Sequence, residues 1–253
     1  MDSHEVPRMT QFPPETLDIE AIERAVVRVR MYLHFRLSPK GPRVARKVFC
    51  LGPAKTATSS LYAMFRENGL KSLHSSGDWP VAEYETFADR GDYRPFAAYA
   101  ATYPEAVFVL NTRGLRGYLT SYASHLQRHL PEAGRKPLSV QYFINRTRRR
   151  NRHMAEVMTH FAGTDRLILV NIDRPGAINF VAERLGLTAT PQPHRHKTTR
   201  QALPENAANI QTALDRLGLA DQADEALVFP HLLPAPLREV WGAALPDMVN
   251  RFI

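Results

Sequence analysis

The sequence has a single cysteine, Cys50, among 253 residues. An intramolecular disulfide is excluded, and a cysteine-based zinc site is not expected. Cys50 stands in the apolar run Val48-Phe49-Cys50-Leu51, the setting of a small buried hydrophobe. No run of about 18 apolar residues occurs, so no transmembrane helix is expected. The first residues lack signal-peptide character, since Asp2, Glu5 and Pro7 interrupt them and no apolar stretch follows. The expected location is the cytoplasm. Acidic residues are in deficit: 25 against 33 Lys and Arg leave a formal charge of +8. That excess calls for an anionic partner. A nucleic acid, a phosphorylated nucleotide, an acidic glycan and an anionic membrane surface all fit. Helix-turn-helix, zinc-finger and aromatic-interleaved basic elements are missing, so nucleic acid is not the expected partner. There is no internal repeat.

What is present is ordinary for a globular chain, with 44% hydrophobic and 23% charged residues. The length suits one α/β domain with an extension. Residues 1–46 read as a polar, proline-containing arm followed by an amphipathic helix over 15–37. Leu17, Ile22, Val26, Val29, Leu33 and Leu37 recur there near helical spacing, with acids early and arginines late. Peripheral membrane contact through 15–37 stays open. Residues 47–200 form the core, and 201–253 a C-terminal helical segment of the same domain. Strands are predicted over 47–51, 70–74, 106–111 and 167–172. Helices are predicted over 58–68, 79–90, 94–103, 114–130, 139–161 and 177–185. This alternation predicts a parallel sheet with helices on both faces. Sites in such sheets lie beyond the carboxyl ends of the strands.

The first strand runs into Gly52-Pro53-Ala54-Lys55-Thr56-Ala57-Thr58-Ser59-Ser60 and then a helix. Such a turn aims backbone N–H groups and a helix N-terminus at one point, which makes an anion site. Lys55 adds a positive charge. Thr58, Ser59 and Ser60 add hydroxyls that cap the helix or bond phosphate oxygens. A plain capped helix start explains the hydroxyls but not a lysine inside a Gly-Pro turn. A Walker A loop needs its lysine directly before the helix, after a glycine. Here Lys55 follows Gly52 by three residues, and the third strand ends in Asn111-Thr112-Arg113 rather than in an acid. A nucleotide kinase is therefore the weaker alternative.

LGPAKTATSSL, followed by FVLNTRGLRGYLTSYASH, resembles the donor-binding signature of the sulfotransferases that use 3'-phosphoadenosine 5'-phosphosulfate. The likeness extends over roughly 47–197, with NRHMAEVMTHFAGTDRLILVNI and ERLGL resembling the later part of soluble, bacterial-type members. It implies a P-loop-like three-layer α/β domain with a five-stranded parallel sheet, although only four strands can be located. It implies a phosphosulfate site made by Lys55, Thr56, Ala57, Thr58, Ser59 and Ser60. It also implies a 3'-phosphate site at Arg113 and Ser121, eight residues apart. A guanidinium fork with a hydroxyl suits a phosphate monoester. Two departures stand out. Ala57 replaces the usual glycine, so the loop backbone is open to strain. Gly114-Leu115 replaces the usual Asp-Pro.

The implied chemistry is sulfuryl transfer to a hydroxyl or amine of an acceptor, with carbohydrates and lipids among the classes. Lys55 would stabilise charge on the departing phosphate oxygen, and no metal is expected. A general base should take the acceptor's proton. His74 at the end of the second strand is the first candidate, Asp78 the second and His125 the third. The arginines 146, 148, 149, 150 and 152 read as a solvated helix face, with some able to bind an acidic acceptor or donor phosphates. Lys197, within His194-Arg195-His196-Lys197, is placed where the family has a loop closing over the nucleotide. Acceptor identity and oligomeric state are not readable from the sequence.

Overall fold

The first strand, β1 (Val48–Cys50), is apolar at every position because both its faces are covered. The computed structural model describes residues 47–74, 83–128, 130–131, 134–189, 203–226 and 228–248, together with residues 25, 26, 29 and 33. After β1 come α1 (Thr58–Glu67), β2 (Ser72–Leu73), β3 (Thr86–Phe87), α2 (Phe96–Thr102), β4 (Val107–Thr112) and α3 (Leu115–Gln127). Then follow α4 (Val140–His160), β5 (Leu167–Asn171), α5 (Ala177–Arg184), α6 (Pro204–Arg216) and α7 (Ala235–Met248). The five strands pair in the order β2-β3-β1-β4-β5, and every pairing is parallel. Helices cover both faces. The fold is thus a three-layer α/β domain of the P-loop-like kind.

Strand alternation sorts the core into two layers. Phe49, Leu51, Phe108 and Leu110 point to one face and pack with Tyr99 of α2 and Met154, Val157 and Met158 of α4. Phe49 is central there, with ring centroids 4.8 Å from Phe87 and 4.6 Å from Tyr99. Val48, Cys50, Val107 and Val109 point the other way, onto Leu61 and Met64 of α1 and Val181 of α5. A third cluster joins α3, the first half of α4 and α6 through Leu119, Phe143 and Leu214. The C-terminal segment is tied in by a peptide-like pair. Asn151 Nδ2 donates to the Phe229 carbonyl at 2.9 Å, and the Phe229 amide donates to Asn151 Oδ1 at 2.6 Å.

One predicted helix is a strand. The stretch 79–90 was expected to be helical, but Thr86–Phe87 form β3 and fill the gap between β1 and β2. Residues 79–82 lie outside the described residues. Two residues are too few to show a period, and a strand held on both sides needs no length of its own. Backbone geometry closes the helical option beyond it, since Asp89 and Arg90 have φ of 132° and 48°. Residues 25, 26, 29 and 33 are helical and exposed, with the apolar Val26, Val29 and Leu33 turned outward. No helix among the described residues is long and apolar enough to cross a membrane.

Candidate active site

The loop between β1 and α1 is fastened from below by Asn111, at the carboxyl end of β4. The Asn111 side chain is fully buried. Its Oδ1 accepts from the Gly52 amide at 3.0 Å. Its Nδ2 donates to the Thr56 carbonyl and to Thr56 Oγ1, both at 2.7 Å. The Thr56 hydroxyl in turn donates to the Pro53 carbonyl at 2.6 Å. Thr56 is buried and its hydroxyl is spent inside the loop, so what it offers a ligand is its backbone. Gly52 is obligatory, because a β-carbon there would collide with Asn111. Gly91 braces the other side. Its amide donates to the Gly52 carbonyl at 3.1 Å, and a β-carbon on it would strike Leu51.

The loop carries two left-handed residues that are not glycine, Lys55 (φ 74°) and Ala57 (φ 60°). Ala57 is the N-cap of α1 and supplies no side-chain cap. The sequence reading flagged this position as one that favours glycine, and the backbone adopts the conformation that makes it so. Ala57→Gly should therefore raise stability by about 0.5–1 kcal/mol. Urea unfolding would show the midpoint rising with an unchanged slope, and a lower midpoint would refute the strain. At the start of α1 the first amides lie outside the helix's own ladder, the arrangement by which a helix start suits an anion.

Lys55 is half-buried in this setting. Its ammonium is held below its usual range, first by burial, then by the positive charges of Arg128 and Arg113, with Asp89 acting in the opposite sense. The fields of both arginines thus reach Lys55, and like charges set near one another favour an anion between them. Arg113 is oriented by Asp173. The pair is 2.9 Å apart, and the same carboxylate accepts from the Gly114 amide at 2.8 Å. Arg113 lies along α3 against Gly117, where a β-carbon would come within 3.2 Å of Nη2. Its Nε is buried without a hydrogen-bond partner among the described residues. Ser121 is four residues past Gly117 and shares its helix face. His125 and the C-cap residue Arg128 continue that face.

His74, expected as the base, follows β2. Its Nε2 lies 3.2 Å from Thr58 Oγ1 and 3.3 Å from Ser59 Oγ, and its ring is 5.4 Å from that of Tyr62. Proton acceptance at this nitrogen requires those hydroxyls to turn away. Asp78 and Lys197 lie outside the described residues, as does the rest of the 194–197 segment.

The arginine-rich helix departs most from expectation. Arg146 and Arg150 are 4% and 3% exposed, not part of a solvated face. Arg146 Nε donates to Tyr118 Oη at 2.6 Å, and its guanidinium sits 3.8 Å from the Tyr122 ring centroid. Arg150 Nη2 donates to Thr112 Oγ1 at 2.9 Å and to the Arg113 carbonyl at 2.8 Å. Its burial pulls the guanidinium down to about 10. His153 Nε2 lies 2.7 Å from the Leu51 carbonyl. Together Arg150 and His153 hold the carboxyl ends of β4 and β1. Arg148 and Arg152 do stay exposed. Asn111, Gly117, Arg128 and Asp173 join the candidate site without having been expected there from the sequence. Two left a trace in the sequence, since Asn111 is a polar end to an apolar strand and Arg128 is seven residues past Ser121.

No family model and no curated protein matches the chain. Among solved structures it is similar to the crystal structure of the sulfotransferase STF1 from Mycobacterium tuberculosis H37Rv, type1 form. The identity is 14%, the TM-score 0.44, and the match covers 76% of this chain and 80% of that one.

Proposed function

We propose that this protein moves a sulfuryl group from 3'-phosphoadenosine 5'-phosphosulfate to a hydroxyl or amine of an acceptor. The observation that carries it is a loop between β1 and α1 whose backbone Asn111 fixes, with half-buried Lys55 on it in the field of Arg113 and Arg128. The donor is anionic at both ends, and two cationic stations suit it. The loop and Lys55 take the phosphosulfate. Arg113, steadied by Asp173, and Ser121 take the 3'-phosphate. In the reaction an acceptor oxygen bonds to sulfur and the bond from sulfur to the 5'-phosphate oxygen breaks. Charge gathers on that oxygen, where Lys55 is worth most. His74 orders the Thr58 and Ser59 hydroxyls beside the loop.

A magnesium nucleotide kinase is not favoured. The side chains at the end of β4 are already committed, Asn111 to the loop and Thr112 to Arg150, while Asp173 belongs to Arg113. A nucleic-acid surface is not favoured either. Such surfaces present exposed cations along a backbone track, whereas Arg146 and Arg150 are buried and Lys55 is recessed.

A thermal-stability titration tests the reading. Adenosine 3',5'-bisphosphate should raise the melting temperature of the wild type, and Arg113→Ala should blunt the rise. Stabilisation by magnesium–ATP alone would overturn sulfuryl transfer in favour of a kinase.

A further inference from the structure

We propose that the cavity enclosed by the phosphate loop, Asp92 and α4 is the acceptor pocket, and that it takes a small hydroxyl compound bearing a carboxylate, sulfate or phosphate ester. This assignment rests on the sulfuryl transfer proposed above. The cavity has a volume of about 320 Å³, the low end of the usual range of roughly 300–1,000 Å³ for ligand sites. That is room for one ring and its substituents. Pro53 lines it, two residues before Lys55, so an acceptor placed here lies beside the group to be transferred. It sits past the carboxyl end of β1, on the sheet face that carries α4. His74 lies against α1, on the opposite face.

Four arginines line the cavity, Arg146, Arg149, Arg150 and Arg152, with two acids, Asp92 and Glu156, so the described lining carries a surplus of positive charge. Arg146 and Arg150 are buried and supply a fixed field. Arg152 is different. Its side chain is 63% exposed and, among the described residues, is held only by Glu156, one turn on in the same helix, at 2.9 Å. Such an exposed pair is weak and exchanges readily for a ligand anion, which a planar guanidinium grips through two donors. Arg149, half-buried between the inner and outer arginines, completes the wall.

Asp92 supplies the chemistry. The neighbouring Gly91 is hydrogen-bonded to Gly52 and leaves no space for a β-carbon, so the backbone that carries Asp92 is held beside the loop. Its side chain is 13% exposed, with Oδ2 4.0 Å from Arg146 Nη2. In the step, the acceptor oxygen bonds to sulfur while its proton passes to Asp92. The bond from sulfur to the 5'-phosphate oxygen breaks, and its electron pair leaves with adenosine 3',5'-bisphosphate.

The test uses the full-length protein, labelled donor and two matched acceptor pairs, 4-hydroxybenzoate against its methyl ester and glucuronate against glucose. Each compound is also titrated calorimetrically into protein saturated with adenosine 3',5'-bisphosphate. The anionic partner should bind and react at least about 10-fold better, and Arg149→Met and Arg152→Met should erase that preference. Asp92→Asn should lower turnover of the anionic acceptor about 10²–10⁴-fold without moving its KM or bisphosphate binding. Asp92→Glu should restore part of the turnover, which separates proton transfer from folding. The assignment is overturned if neither anionic compound binds, if each pair is used equally, or if the preference survives both methionine variants. If the bisphosphate binds and the charge preference is missing, only the acceptor pocket falls. If the bisphosphate does not bind, sulfuryl transfer itself falls.

Discussion

Lys55→Ala should turn over the sulfuryl donor about 10²–10³-fold more slowly than the wild type, whereas Arg113→Ala should lose donor affinity instead. The split follows from where charge develops. Lys55 stands in the loop, where the departing phosphate oxygen gains charge only as the bond to sulfur breaks. Its contribution is greatest in the transition state and therefore appears in kcat. Arg113 is fixed by Asp173 and backed by Gly117, and in the proposed reaction it meets a phosphate that does not react. Its loss should weaken adenosine 3',5'-bisphosphate binding roughly 10–100-fold and leave turnover at saturating donor nearly intact. Steady-state kinetics with each variant decides. A Lys55→Ala enzyme that changes KM alone would move Lys55 from the reacting oxygen to a mere binding role.

Asn111→Ala should cost roughly 3–4 kcal/mol of stability. The substitution removes three hydrogen bonds and leaves the Gly52 amide and the Thr56 carbonyl unpaired in a buried place. For a chain of this size that loss lowers the melting temperature by about 6–16 °C, at 2–4 °C per kcal/mol. Asn111→Asp is the sharper probe. It keeps an oxygen for Gly52 but turns a second oxygen toward the Thr56 carbonyl, and it sets a negative charge under the anion loop. Bisphosphate stabilisation should vanish in Asn111→Asp and survive, reduced, in Asn111→Ala. If both variants bind like the wild type, the loop holds its shape without Asn111.

The parts of the fold legible in the sequence are those that act locally. Val48 to Leu51 announced a strand buried on both faces. The position of Ala57 announced a left-handed backbone, and the structure has it at φ 60°. The fifth strand stayed hidden because Thr86 and Phe87 owe their extended form to neighbours 38 residues earlier and 14 residues earlier in the chain, Val48–Phe49 and Ser72–Leu73. Arg146 and Arg150 were read as solvent-facing because arginine alone seldom enters a core. What admits them is supplied from elsewhere: the Tyr118 hydroxyl, the Tyr122 ring, Thr112 and the Arg113 carbonyl. Asn111 was visible as a polar strand end, but its partners lie 55 and 59 residues away. No local pattern carries such information.

The all-parallel strand order also dictates when the site can form. Both partners of β1 come later in the chain, and β4 is the farther of them. A nascent chain that has just presented the loop from Gly52 to Ser60 holds its whole anion-binding sequence and none of its shape. The loop's clasp arrives with Asn111, and the Leu51 carbonyl at the end of β1 meets His153 only 102 residues later. Folding here must close long loops before those contacts reward it, the regime of slow folders. Competence to bind an anion should therefore appear late and abruptly during synthesis, well after the loop itself has left the ribosome.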